Sequence, residues 1–145
     1  MFGEDILLGR ALTNDEIVAA LAAAFSVAGE DVTVVDGPIQ GEVDADARIR
    51  CERFAVGGDF PTHLSVYLLD AALDVLDRMA TVRHLCAELR TECLVSDDSV
   101  NPYTMLLVQA AGAERAVSLD PRRMDDDEYV IAGSPATRLA TLRGA

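Results

Sequence analysis

Leu12-Thr13-Asn14-Asp15-Glu16-Ile17 spells the start of a helix in six consecutive residues. The Thr13 hydroxyl can accept from the backbone N–H three residues on, Glu16 can reach back to the Thr13 N–H, and Leu12 can staple onto Ile17. Asp15 and Glu16 also suit the positive end of the helix dipole. Beyond them Ile17, Leu21, Ala24, Phe25 and Ala28 recur at helical spacing as far as Gly29, which predicts a helix over about residues 14 to 28. A helix with one apolar stripe needs an apolar layer to lie on, and the sequence after it is rich in strands.

Val32, Val34 and Val35 predict a short strand within Asp31 to Asp36, closed by Gly37-Pro38 and followed by an acidic loop holding Glu42, Asp44 and Asp46. A hairpin follows, with arms over residues 47 to 56 and about 62 to 69 and a turn at Gly57-Gly58-Asp59. In the first arm Ala47, Ile49 and Cys51 share a face, after which the apolar phase moves to Phe54 and Val56. That one-residue slip predicts a bulge near Glu52-Arg53.

Residues 71 to 90 read as a second helix capped by Asp70. Ala72, Val75, Leu76, Met79, Val82, Cys86 and Leu89 fall on one side, and Asp70, Asp74, Asp77, Thr81, His84 and Glu88 on the other. Asp74 is spaced to pair with Arg78 and His84 with Glu88. Arg83 and Arg90 fall on the apolar side and must reach out or find partners.

The last third reads as a meander, with strands near 92 to 96, 103 to 109, 115 to 119 and 128 to 132. Met105-Leu106-Leu107-Val108 is apolar on both faces, as expected of an inner strand or one covered by a second subunit. The fold class that buries every apolar face is α+β. Two main helices pack on one face of a mainly antiparallel sheet in a two-layer sandwich of order α-βββ-α-ββββ. One domain is expected over residues 1–133, with a loose tail over 134–145.

Composition narrows the function classes. Half the residues are hydrophobic, yet 25 carboxylates face 12 cations, all of them arginine, for a net charge of −13. This describes a folded domain with a negative skin, which repels phosphate backbones and anionic lipid and attracts basic surfaces. Nucleic acid and membrane are therefore not expected as partners. No apolar run approaches the ~20 residues that cross a bilayer, and Met1 to Leu8 lacks the pattern of a secretion signal, so a cytoplasmic location is expected. The lack of lysine and the abundance of alanine match the bias of a GC-rich bacterial genome. Cys51, Cys86 and Cys93 are odd in number and lack C-x-x-C spacing, which predicts buried thiols and neither a disulfide framework nor a zinc site.

The signatures of common chemistry are missing. No serine sits in G-x-S-x-G, no glycine run forms a phosphate loop or dinucleotide fingerprint, and H-E-x-x-H is absent. The sequence therefore assigns no catalytic and no cofactor-binding residue. Asp70, Asp74, Asp77 and His84 are the candidates for holding a divalent cation on the second helix, although solvation and capping account for the same stripe. Cys51 and His63 form a nucleophilic pair only if the hairpin brings both to one pocket. The expected partner-binding residues are Asp74, Asp77, Glu88, Asp125, Asp126 and Asp127, with Arg48 and Arg50 on the hairpin available to partner carboxylates.

Over residues 13 to 120 the order of elements and the acidity resemble those of the small acidic chaperones of type III secretion. The resemblance implies an α-β-β-β-α-β-β plan, a homodimer, and effector binding without nucleotide hydrolysis. Bacterial immunity proteins that plug basic toxins share the acidity and size. The leading expectation is thus a non-catalytic protein that escorts or neutralises a basic protein. The alternatives are a divalent-metal-binding domain or hydrolase using the second helix, and a structural homodimeric subunit.

Overall fold

The computed structural model describes residues 2–38, 46–75 and 77–132, the side chains of Phe2, Asp74 and Val75 excepted. Among these residues nine strands and three α-helices follow in the order β1 (Phe2–Leu8), α1 (Asn14–Phe25), β2 (Val32–Asp36), β3 (Ile49–Ala55), β4 (Gly57–Gly58), β5 (Thr62–Leu68), α2 (Arg78–Leu89), β6 (Cys93–Ser96), β7 (Thr104–Val108), β8 (Glu114–Ser118), α3 (Pro121–Met124) and β9 (Glu128–Tyr129). Seven strands form one sheet, ordered β2-β3-β5-β1-β6-β7-β8, in which only β2 and β3 run parallel. The fold is α+β, with α1 and α2 packed on one face of a mainly antiparallel sheet.

The strand at the centre of the sheet is the one the sequence pattern hides. β1 lies between β5 and β6, so the order begins with a strand and not with the predicted helix. Ile6 and Leu8 enter the core under the helices while Leu7 enters a second core on the opposite face, which makes this strand apolar on both sides.

Helix α1 forms as its first six residues dictate. The Thr13 hydroxyl accepts from the Glu16 N–H and the Glu16 carboxylate accepts from the Thr13 N–H, and both Leu12 and Ile17 are buried. The helix stops at Phe25, short of the predicted Ala28, because Ser26 turns into the left-handed region. The Val27 N–H then reaches the Ala22 carbonyl, and Val27 packs on the core. α2 ends the same way, with Arg90 left-handed and the Thr91 N–H on the Cys86 carbonyl.

Three further expectations are corrected. The second helix does not run from 71 to 90: Ala71–Val75 is a 3₁₀ turn and α2 starts at Arg78. Two aspartates account for the break, since Asp70 accepts from the Ala72 N–H and Asp77, in extended conformation, accepts from the Ala80 N–H. Each is a cap that opens its own turn. The hairpin carries no bulge at Glu52-Arg53, because β3 and β5 stay in register from Ile49↔Leu68 to Ala55↔Thr62. The apolar phase changes there because Phe54 and Val56 serve the other face, Phe54 beside the His63 ring and Val56 in the second core.

That second core is built from Leu7, Phe60, Leu94, Leu107, Val117 and Leu119. It is covered by the segment from α3 to Ile131, whose β9 pairs in parallel with β4 and whose Ile131 bridges to Leu119. Of the predicted strand at 128 to 132, Glu128–Tyr129 thus belongs to a small separate ribbon, while Val130–Ala132 bonds antiparallel to residues 118–120 at the end of the meander. β7 is an inner strand between β6 and β8, with Leu106 and Val108 facing one core and Met105 and Leu107 the other. Glu42, Asp44 and the 134–145 tail lie outside the described residues.

Candidate functional site

Two places on the sheet carry polar chemistry, one on each face, and both are organised by adjacent residues of β1. On the face away from the helices Asp5 stands beside β5. Its Oδ1 accepts from the Ser65 hydroxyl at 2.7 Å and lies 3.1 Å from His63 Nε2. His63, more than desolvation opposes it, holds the Asp5 carboxyl below the ordinary carboxylate range, and Ser65 adds to the effect. A serine, a histidine and an aspartate meet here in the wrong order for nucleophilic catalysis. A relay needs the imidazole between hydroxyl and carboxylate, whereas here both donors converge on the carboxylate. Beside them the Arg50 guanidinium lies over the Tyr67 ring, 5.0 Å from its centroid, with its Nε buried and without a hydrogen-bond partner. Desolvation, and after it Glu52, pushes the Tyr67 phenol up.

On the helix face Glu4 takes the place that the alternation with Ile6 and Leu8 assigns to the core. Its side chain is only 11% exposed, and Arg78 at the start of α2 forks onto it, Nε to Oε2 at 2.9 Å and Nη2 to Oε1 at 2.7 Å. The same guanidinium donates to the Ser96 carbonyl and lies 3.7 Å from the Asp98 carboxylate, which is 83% exposed. Glu4 first, and Asp98 after it, raise the Arg78 pKa above its ordinary value against the opposing effect of desolvation. The ion pair lines a cavity of about 110 Å³ between α1, α2 and the sheet. Ile6, Leu21, Phe25, Val66, Leu73 and Leu85 make up most of its wall. An apolar recess with a few converging polar groups is the commonest form of a binding site.

The residues expected to bind a partner are divided between the two faces. Asp77 caps α2 at its exposed start, and Glu88 lies at its far end 3.2 Å from His84. Asp125, Asp126 and Asp127 are exposed after α3, on the face opposite the helices. Arg48 is occupied within the chain by Asp70 at 2.8 Å and Asp31 at 3.9 Å, while Arg50 lies on Tyr67. Arg78, expected to pair with Asp74, is held by Glu4, and the Asp74 side chain lies outside the described residues.

Of the candidate metal set, the Asp74 side chain lies outside the described residues, and the helix break separates Asp70 from the helix that Asp77 caps and that carries His84. Asp70 holds Arg48, Asp77 caps, and His84 faces Glu88. Among the described residues no three His, Cys, Asp or Glu side chains gather as a metal site. Cys51 and His63 lie on opposite faces of the sheet, which rules out the nucleophilic pair. Burial pushes the Cys51 thiol up to about 12. Sequence reasoning missed Glu4 and Asp5, whose only signal was two adjacent acids inside an otherwise apolar segment.

Among the described residues no helix is long and apolar enough to cross a membrane. No family model, curated protein or solved structure matches this chain.

Proposed function

We propose that the chain is a non-catalytic binding protein that escorts or neutralises a basic protein, seating an apolar side chain of that partner in the recess between α1 and α2. The observation that carries this reading is an apolar recess whose lining residue Arg78 lies 3.7 Å from the exposed Asp98 carboxylate. Asp77, the cap of α2, immediately precedes Arg78 in the chain. Long-range attraction steers a basic surface to these carboxylates, and burial of the apolar anchor supplies most of the affinity.

The internal ion pairs support the same reading. Arg10, Arg48, Arg53, Arg78, Arg83 and Arg123 are each held by a carboxylate of the chain. Cations are thus consumed internally, and exposed acids such as Asp15, Glu30 and Asp125–Asp127 set the sign of the outer surface. Residues 14 to 108 also follow the order α-β-β-β-α-β-β when the two-residue β4 is set aside, in keeping with the likeness to secretion chaperones. The central position of β1 is a feature outside that plan.

The test is affinity capture from the native host by the wild-type chain and by two variants, Asp77→Asn/Asp98→Asn and Thr81→Phe. The first removes the two carboxylate charges beside Arg78, and the second places a ring at the cavity wall. A basic protein bound by the wild type is expected, with association slowed by salt and by the double variant, and with faster dissociation from Thr81→Phe. A secreted effector identifies an escort and a toxin identifies a neutraliser. Recovery of no basic protein, or equal binding by all three chains, overturns the reading.

A further inference from the structure

The last turn of α2 and the first residue of β6 bring two of the three cysteines together. Arg90 takes the left-handed conformation, the Thr91 N–H closes onto the Cys86 carbonyl, and the chain reverses within residues 90–92. Cys93 thereby enters the sheet beneath the helix that carries Cys86. The two Sγ atoms lie 2.7 Å apart, both residues are fully buried, and both belong to the core between helices and sheet. Cys51 sits elsewhere in that core, on β3.

We propose that Cys86 and Cys93 are a modification site, a buried dithiol that closes to an intramolecular disulfide tying α2 to the strand beside β1. The sulfurs need to approach by only a fraction of an ångström to reach the bonded separation of about 2.05 Å. The electron acceptor is a low-molecular-weight disulfide, for which oxidised glutathione serves as the probe. One cysteine, as thiolate, attacks a glutathione sulfur and releases a glutathione thiolate, which takes up the proton that the cysteine lost. The second cysteine attacks the mixed disulfide, forms the Cys86–Cys93 bond and expels the remaining glutathione, again with one proton passing to the leaving thiolate. Two protein thiols are oxidised and one small disulfide is reduced to two thiols.

Burial makes this a proximity site and not a reactive thiol. Contact with Cys86, desolvation and the charges of Glu4 and Glu92 all hold the Cys93 thiol protonated. Exchange therefore waits on a local opening at the α2–β6 connection, and once the mixed disulfide forms the neighbouring sulfur outcompetes any external thiol.

The experiment incubates the full chain with oxidised glutathione, alkylates remaining thiols in denaturant and maps the peptides without reductant. The expected product links Cys86 to Cys93, is lighter by two hydrogens, and leaves Cys51 alkylated. Its thermal midpoint lies about 5 °C above that of the reduced chain and returns on reduction. The variant Cys51→Ala gives the same link if the pairing is specific. Alkylation of all three cysteines, a persistent glutathione adduct at Cys86 or Cys93, or a link involving Cys51 would overturn the proposal.

Discussion

Arg78 grips Glu4 across 74 residues of chain, with two parallel hydrogen bonds between a helix start and the middle strand of the sheet. Removing one partner leaves the other charge in a largely apolar wall, which costs several times what an exposed pair is worth. Glu4→Leu and Arg78→Met are each expected to lower unfolding stability by about 2–3 kcal/mol. The double variant Glu4→Leu/Arg78→Met recovers most of that loss, and a denaturant-unfolding cycle of the four chains measures the coupling.

Gly58 has φ +86°, and a Cβ there would lie 2.6 Å from backbone atoms of Tyr129. Gly58→Ala therefore breaks the β4–β9 ribbon rather than straining a side chain. A loss of at least ~2 kcal/mol is expected, with amide exchange accelerating first over residues 121–131, which cover the second core.

Both long helices end on a residue other than glycine in the left-handed region, Ser26 at φ 56° and Arg90 at φ 53°. Relieving the Cβ strain outweighs the added freedom of the unfolded chain. Ser26→Gly and Arg90→Gly should each raise stability by about 0.5–1 kcal/mol, and their effects should add because the two caps terminate different helices. Thermal melts of the single and double variants check both statements.

The depressed pKa of Asp5 has a definite sign in stability. A carboxylate held below its ordinary range stabilises the fold above that range, and the contribution disappears as pH falls through the folded-state value. Its side chain is 74% exposed, so the effect is kept small by solvent, at under ~1 kcal/mol. Asp5→Asn is expected to be modestly destabilised at neutral pH and to lose less stability than the wild type below about pH 4. Urea midpoints collected from pH 6 to pH 2.5 distinguish the two curves.

What the sequence reveals of this fold is what neighbours in the chain decide. Thr13 and Glu16 are three residues apart and cap their own helix, and the β3–β5 pairing and the β6–β7–β8 meander arise from local turns. β1 stays hidden because Glu4 and Asp5 interrupt its pattern, and each is satisfied by a partner distant in sequence, Arg78 on one face and His63 with Ser65 on the other. Asp77 reads as one more acid on a helix face, yet its side chain takes a backbone N–H and starts the helix anew. Phe54 and Val56 read as a slipped register because a pattern cannot say that a second core waits behind the sheet. The cavity was invisible for a related reason: it is a gap between three elements, and none of them encodes it alone.

The position of β1 also sets the order of events in folding. It leaves the ribosome before either neighbour, yet its hydrogen-bonding partners are residues 62–68 and 93–95. Until those strands exist, its apolar residues have no ladder to join, while β3 and β5 can zip locally through their turn. Closing the sheet around β1 therefore demands large loop closures, so insertion of this strand is expected to be the slow step of refolding. A chain interrupted before residue 93 leaves one edge of the β1 ladder open, and with it an adhesive surface that the finished protein keeps in its interior.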